Sequence, residues 1–269
     1  MRRLSVGLIA ACVAGVVAAQ PSPSVELWRL DCGSIAIANL GDFSDTGLYR
    51  GEKKELAASC YLVRNGDRYL LWDTGLDGAL AGKPRDSNGS KVDRTIAAQL
   101  ATIGVKPGDI DFVGISHYHY DHTGQLRDFP GATLLQGKDD WEVIKVWKAA
   151  EPRYRHWLTG GGKVELVEGD KDVFGDGKVT MINLPGHTEG HHALLVQLAS
   201  GPVLLSGDQY HFTRNRVAGG VPSFNTNRAD TLASHDRFEK LAANLKAKVI
   251  IQHEPGDIAK LPAFPESAK

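Results

Sequence analysis

Three histidines and an aspartate crowd into one run, Ile115-Ser116-His117-Tyr118-His119-Tyr120-Asp121-His122-Thr123-Gly124. Imidazole and carboxylate are the usual ligands of zinc and similar divalent ions. Three further candidates each follow an apolar run: His187 after Leu184-Pro185-Gly186, Asp208 after Leu204-Leu205-Ser206-Gly207, and His253 after Ile250-Ile251-Gln252. Loops at strand ends are where a rigid scaffold presents a site. Together these are five histidines and two carboxylates, more than one tetrahedral zinc requires. The set suits two metal ions that share one carboxylate. His191 and His192 read as braces of the site, and His156 and His235 as structural or solvent-exposed. Asp73, in Asp73-Thr74-Gly75, either holds a ligand histidine in place or caps a turn.

The elements that must position these groups are strands followed by helices. Val25 to Leu30 alternates as a strand, and Ile35 to Ala38 continues it. Gly41 to Glu55 reads as a loop. Cys60 to Val63 and Tyr69 to Trp72 form a predicted hairpin, with Asn65-Gly66 supplying the positive φ angles of its turn. Val92 to Ile103 has helical spacing and stops at Gly104. Ile110 to Ile115 is a buried strand that delivers the histidine run at its C-terminal end. Thr133 to Leu135 is a strand and Asp139 to Trp147 a helix. Strands follow over Val164 to Val167, Val179 to Leu184, Ala193 to Leu198 and Val203 to Ser206. Arg228 to Leu245 is an amphipathic helix, and Val249 to Ile251 a last strand. The segment 149–163 is aromatic and basic and ends in three glycines. It reads as an insertion that covers a site. Trp147, Tyr154 and Trp157 would then line a pocket or belong to the core. The pattern predicts an α/β fold of two mixed sheets face to face, with helices outside.

The chain has 269 residues, 42% hydrophobic and 23% charged, with a net charge of −1. That is enough for a large core. It lacks the basic excess of a nucleic-acid partner. Arg2 and Arg3, the apolar run Leu4 to Val17 and the small residues before Gln20 form the pattern of a secretory signal peptide over 1–19. Residues 20–269 are then a single domain, in the periplasm or secreted, with no stable membrane span. Cys12 after Ile9-Ala10-Ala11 offers a competing lipoprotein signal. Cys32 and Cys60 remain in the mature body, on neighbouring predicted strands. They either pair as a disulfide in an oxidising compartment or stay as buried thiols.

The run His117-Tyr118-His119-Tyr120-Asp121-His122 resembles the HxHxDH motif of the metallo-β-lactamase superfamily. Pro185-Gly186-His187-Thr188-Glu189-Gly190-His191 resembles its second motif, Ser206-Gly207-Asp208 its third, and His253 stands where the last ligand belongs. The resemblance runs from about Glu26 to Phe264 and implies an αββα sandwich. Within the superfamily the chain is most similar to exported N-acyl-homoserine lactonases. Asp208 is present, bulky Tyr118 and Tyr120 fill the variable positions of the first motif, and Gly207 to Phe212 and Thr231 to Ser234 are lactonase-like. The resemblance implies two zinc or other divalent ions, one on His117, His119 and His187, the other on Asp121, His122 and His253, with Asp208 bridging. It implies quorum quenching by opening an acyl lactone. A metal-held hydroxide, available near neutral pH, would attack the carbonyl, and Asp121 would carry a proton to the leaving oxygen. Tyr210 or His211 would donate to the developing oxyanion. The family's tyrosine three residues past the bridging aspartate is His211 here, so which of the two faces the substrate is left open. The partner implied is a small acyl lactone; a homodimer is left open as well. The competing readings are a β-lactam-hydrolysing relative, against which Asp208 counts, another superfamily hydrolase, an iron oxidoreductase on the same fold, or a non-catalytic ligand binder.

Overall fold

The structure, a computed structural model, describes residues 24–269; the expected signal peptide and Cys12 lie outside the described residues. Strands β1 (Val25–Ile37), β2 (Lys54–Asn65), β3 (Arg68–Trp72), β4 (Ser90–Lys91), β5 (Phe112–Ile115), β6 (Thr133–Gly137) and β7 (Val164–Val167) build one sheet, in the order β4-β1-β2-β3-β5-β6-β7. Strands β8 (Lys171–Asp172), β9 (Val179–Asn183), β10 (His192–Leu198), β11 (Gly201–Leu205) and β12 (Lys248–Ile250) build the second, in the order β12-β11-β10-β9-β8. Both are mixed. β3, β5, β6 and β7 run parallel, as do β11 and β12, and the other pairs are antiparallel.

Alternation along each strand fills two cores at once, because successive side chains point to opposite faces. In β2, Tyr61 and Val63 enter the core between the sheets, with Trp72, Met181, Leu194 and Val196. Cys60 and Leu62 face the other way. The helices are α1 (Ile96–Thr102), α2 (Tyr120–Thr123), α3 (Lys138–Val146), α4 (Glu151–Leu158), α5 (Thr213–Val217), α6 (Arg228–Leu245) and α7 (Pro255–Ile258). Ile96 and Leu100 of α1, Ile144 of α3 and Tyr154 and Trp157 of α4 pack on the outer face of the first sheet. Phe238 and Ala242 of α6 pack on the outer face of the second, against Ile182, Leu195 and Leu204. This is the expected sandwich, with helices on both outer faces. None of the described helices is long and apolar enough to cross a membrane.

Several elements differ from their sequence reading. β1 runs unbroken to Ile37, its register shifting between Asp31 and Ser34. The hairpin turn is Gly66-Asp67, since Asn65 pairs with Arg68 and Gly66 alone takes a positive φ of 67°. Glycine at the first of two turn positions is a favoured hairpin solution. α1 begins only at Ile96, where the Thr95 side chain accepts from Ala98 N and caps the helix. Cys32 and Cys60, both fully buried, form a disulfide with a Cα separation of 5.8 Å. It joins β1 to β2.

The segment 149–163 carries α4, packed on the first sheet. Tyr154 and Trp157, three apart on α4, are buried in the outer core, and Tyr154 Oη donates to Gln136 Oε1 at 2.9 Å. Neither aromatic lines a pocket beside the histidines. Trp147 stays partly exposed, edge-on to Tyr118.

Candidate metal centre

Every candidate ligand lies just past the end of a strand, on one rim of the sandwich. β5 ends at Ile115, and the chain turns through His117 and His119 into α2, which carries Asp121 and His122. His187 follows β9, Asp208 follows β11 and His253 follows β12. The turn Asp73-Thr74-Gly75 after β3 locks α2 in place. Thr74 N and Oγ1 both donate to His122 O, and Gly124 N donates to Gly75 O. Asp73 adopts a positive φ of 58°, a strained choice for a non-glycine residue. That backbone aims its carboxylate inward: Oδ1 accepts from Ser116 N and Oδ2 meets His122 Nδ1 at 2.9 Å. Asp73 therefore holds a ligand histidine and shapes a turn together.

The ligand atoms converge in two groups, each gathered within 4.8 Å: His117, His119, His187 and Asp208, and Asp121, His122 and His253. In the first, His187 Nε2 stands 3.1 Å from His117 Nε2 and 3.0 Å from His119 Nδ1. In the second, His122 Nε2 and His253 Nε2 are 3.2 Å apart, and Asp121 Oδ2 is 3.7 Å from His253 Nε2. Tetrahedral ligands at zinc–nitrogen distance sit about 3.4 Å apart. Asp208 lies between the groups. Its Oδ1 is 2.9 Å from His253 and 3.1 Å from His122. Its Oδ2 is 3.3 Å from His187 and 3.6 Å from His117. Oδ1 is buried, yet neither short contact has the geometry of a hydrogen bond. Lone pairs facing one another around such an oxygen fit cations, and the set fits two divalent ions.

The outward Nδ1 of His117, His122, His187 and His253 is held in each case. His187 Nδ1 meets Asn225 Oδ1 at 2.9 Å, His117 Nδ1 meets Ser116 Oγ at 3.0 Å, and His253 Nδ1 meets Ala57 O. A proton fixed on Nδ1 leaves Nε2 free to ligate. Burial and then the neighbouring His187 hold His119 down at about 3. Burial, and then His122, holds His117 well below the usual histidine range. Burial also opposes charge on His122 and His253, but Asp208 and the other carboxylates outweigh it and raise both. Asp208 is lowered well below the carboxylate range: burial raises it, and the surrounding histidines more than reverse that.

Tyr210 and His211 separate. Tyr210 is extended, at φ −145° and ψ 147°, so consecutive side chains point to opposite sides. Tyr210 faces away from the site, stacks on His235 with centroids 4.4 Å apart and joins the α6 core. The structure therefore does not bring Tyr210 to the ligand set. His211 faces the site, with Nε2 3.1 Å from Asp208 Oδ2. Burial lowers it to about 4 despite Asp208. His191 is a brace as expected: Nδ1 donates to Leu184 O, and Nε2 accepts from Asp208 N at 2.9 Å. Gly207, with φ 53°, lies so close on the His191 ring that a Cβ would collide with Nε2. His192 bonds the carbonyls of Gly190 and Gly169, and His156 that of Pro130.

Gln252 was not singled out from sequence. Its Oε1 accepts from Trp72 Nε1 and Gly207 N, and its Nε2 donates to Asp73 Oδ2. It ties the Asp73 brace to the Asp208 loop. The usable signal was a polar residue directly after a buried strand and before a ligand. Asn225 lay in a loop with no such signal. A cavity of about 230 Å³ opens over the ligands. Ile35, Ile37, Phe43, Leu56 and Phe224 form its apolar wall, and Tyr120, Asp121, Asp208, His211 and His253 line the rest. Tyr118, in contrast, is buried and donates to Glu189 Oε2.

Residues 54–253 match the family model of the metallo-beta-lactamase superfamily. The N-acyl homoserine lactonase AttM of Rhizobium radiobacter is 32% identical over 241 residues, covering 80% of this chain and 89% of that protein. The chain belongs to the N-acyl homoserine lactonase family of the metallo-beta-lactamase superfamily. Two solved structures share its fold. One is an N-acyl homoserine lactone hydrolase with N-hexanoyl-L-homoserine at its catalytic metal centre, with TM-score 0.76, 21% identity, and coverage of 91% of this chain and 99% of that one. The other is AidC, a dizinc quorum-quenching lactonase, with TM-score 0.66, 20% identity, and coverage of 92% and 91%.

Proposed function

We propose that this chain is an exported dinuclear metallohydrolase that opens the lactone ring of N-acyl homoserine lactones. The observation that carries the reading is Asp208, which offers one carboxylate oxygen to each half of a split ligand set. His117, His119 and His187 would hold one ion and Asp121, His122 and His253 the other, with Asp208 placed within reach of both. When bound there, divalent ions would supply Lewis acidity and lower the pKa of a bound water. The apolar wall of Ile35, Phe43, Leu56 and Phe224 suits an acyl chain, and the polar floor suits the lactone. Asp121 lines that cavity with its side chain 12% exposed, which fits a carboxylate that carries a proton to the leaving oxygen. His211 uses its Nε2–H on Asp208 and so orients the shared carboxylate. The named activity of the AttM relative supports the same substrate class. The signal-peptide pattern and the Cys32–Cys60 disulfide support a periplasmic or secreted location.

The test is hydrolysis of N-hexanoyl homoserine lactone by zinc-loaded mature protein, followed by proton release at neutral pH, with nitrocefin in parallel. Proton release from the lactone that disappears in His119→Ala is expected. A protein with two zinc ions bound and no proton release, or one that turns over only nitrocefin, would overturn the reading.

A further inference from the structure

The Cys32–Cys60 disulfide lies where two clamps on the metal centre meet. β1 loses its register with β2 between Asp31 and Ser34, so Cys32 and Gly33 stand outside the ladder. Cys60 is within it, opposite Leu30. The irregular stretch of β1 supports the turn that follows β3. Cys32 O accepts from Leu76 N at 3.1 Å. Gly75, with φ 59°, lies so close that a Cβ there would collide with Cys32. Leu76 closes on Gly33 in the same way and packs with Ile35 and Ala58. Just before them in this turn, Asp73 and Thr74 hold His122.

β2 carries the other clamp, directly before Cys60. Ala57 N donates to His253 O, and Ala57 O meets His253 Nδ1. Ser59 Oγ donates to Gln252 O at 2.7 Å. His122 and His253 belong to the same half of the ligand set, with their Nε2 atoms 3.2 Å apart. The other half is held elsewhere: His187 by Asn225 and Thr226, and His117 by Ser116. Ser116 N also donates to Asp73, so that half meets the turn only indirectly. Gln99 of α1 anchors Asp31, and β4 anchors Ser34 and Ile35. Between those anchors, the disulfide sets how far Cys32 stands from β2.

Resting on the two-ion part of the lactonase reading, we infer that Cys32 and Cys60 are a positioning pair for one half of the metal centre. Their bond fixes the turn that holds His122 against the strand that holds His253, and zinc binds that half less tightly once the bond is open. Filling of that half is thereby coupled to the oxidising compartment in which the bond forms.

Two single-ion proteins separate the halves. His187→Ala leaves an ion to His122 and His253, and His253→Ala leaves one to the other half. Zinc affinity is measured in each by competition with a chromophoric chelator, with the bond closed and open. It is opened in two ways. Cys32→Ala/Cys60→Ala keeps the Cβ that packs on Gly75. Reduction by a water-soluble phosphine in mild denaturant, removed before the titration, keeps every heavy atom. In that step the S–S bond breaks, two S–H bonds form, and the phosphine takes oxygen from water to become its oxide. Opening is expected to weaken zinc binding about tenfold in His187→Ala, the lower end of the cost of an outer brace, and to leave His253→Ala little changed. Phe238→Leu, in the α6 core, should lower the melting temperature without moving either affinity. Equal weakening of the two halves, no weakening of either, or a matching zinc loss in Phe238→Leu would overturn the inference. Loss of the fold in both opened forms would overturn it too, since the bond would then serve the fold alone. None of these outcomes reads lactone hydrolysis, so the lactonase reading would stand. A wild type that binds no zinc would bring down the two-ion reading and this inference together.

Discussion

In one half of the ligand set the braces are neutral: Ser116 Oγ on His117 and the Asn225 amide on His187. In the other, the Asp73 carboxylate holds His122, a second carboxylate, Asp121, is itself in the set, and a backbone carbonyl holds His253. The histidines respond in opposite directions. His117 and His119 are lowered, while His122 and His253 are raised. All four are buried, apart from the slightly more accessible His119, so burial alone does not separate them. The negative charge around the second half does. A histidine braced by a carboxylate is a more basic ligand, so the second half should be the tighter site and the first the more easily emptied.

Removing what the halves share should have the largest effect. Asp208→Asn leaves five converging imidazoles without their common anion. We expect lactone hydrolysis to fall by more than about 100-fold, beyond the usual cost of an outer brace. Metal content measured by mass spectrometry should drop from two ions to one or fewer. Two retained ions would show that Asp208 is not shared.

Asp73→Asn attacks the charged half alone. The expected loss of metal affinity is about 10–100-fold, confined to one of the two ions in a chelator competition. In the metal-free protein the His122 ring should also titrate at lower pH by NMR, because a raising carboxylate is gone. Equal weakening of both ions would erase the distinction between the halves. Asn225→Ala is the matching change in the neutral half. It removes a dipole rather than a charge, so the expected loss is near the lower end, about tenfold, and falls on the other ion. If Asn225→Ala costs more than Asp73→Asn, brace charge does not rank the halves.

The sequence exposed the ligands because each is a polar group set directly after an apolar strand, a pattern that survives without tertiary information. Helix α6 was legible for a similar reason: Thr231, Ser234, His235, Phe238 and Ala242 keep one face buried, and Asn227 caps it through Ala229 N and Asp230 N. The choice between Tyr210 and His211 was not legible, since it depends on an extended backbone that sends adjacent side chains to different cores. The aromatics of α4 were ambiguous for want of a known inward face. Tyr154 and Trp157 point into the core, while Arg153, one residue before Tyr154, reaches a cavity beside Tyr120. The braces Asn225 and Asp140 were silent because a buried polar residue resembles an exposed one until its partners are in place.

Asp140 tests the neutral half most gently. It lies on α3, fully buried, and accepts from Gly190 N at 2.7 Å and Thr188 Oγ1 at 3.1 Å. It thereby pins the loop that carries His187. Burial pushes it up to about 8, against those two hydrogen bonds, and Glu189 adds to the rise. An unfolded aspartate titrates near 3.9. The folded state therefore binds a proton that the unfolded state releases over the range between them. Stability from that proton is fully present below about pH 4 and is lost as pH rises through 8. Asp140→Asn cannot ionise, so it should escape the loss. Its melting temperature relative to wild type should climb between pH 5 and pH 8, measured on metal-free protein so that metal release does not intrude. Histidines with raised values also lose stability over this range, but they do so in both proteins and cancel in the difference. Lactonase activity should change by less than about tenfold, since the asparagine oxygen can still accept from Gly190 N. Parallel melting curves would mean that Asp140 stays ionised when folded. The loop of His187 would then be held by a charge after all, and the neutral half would be neutral only at its ligands.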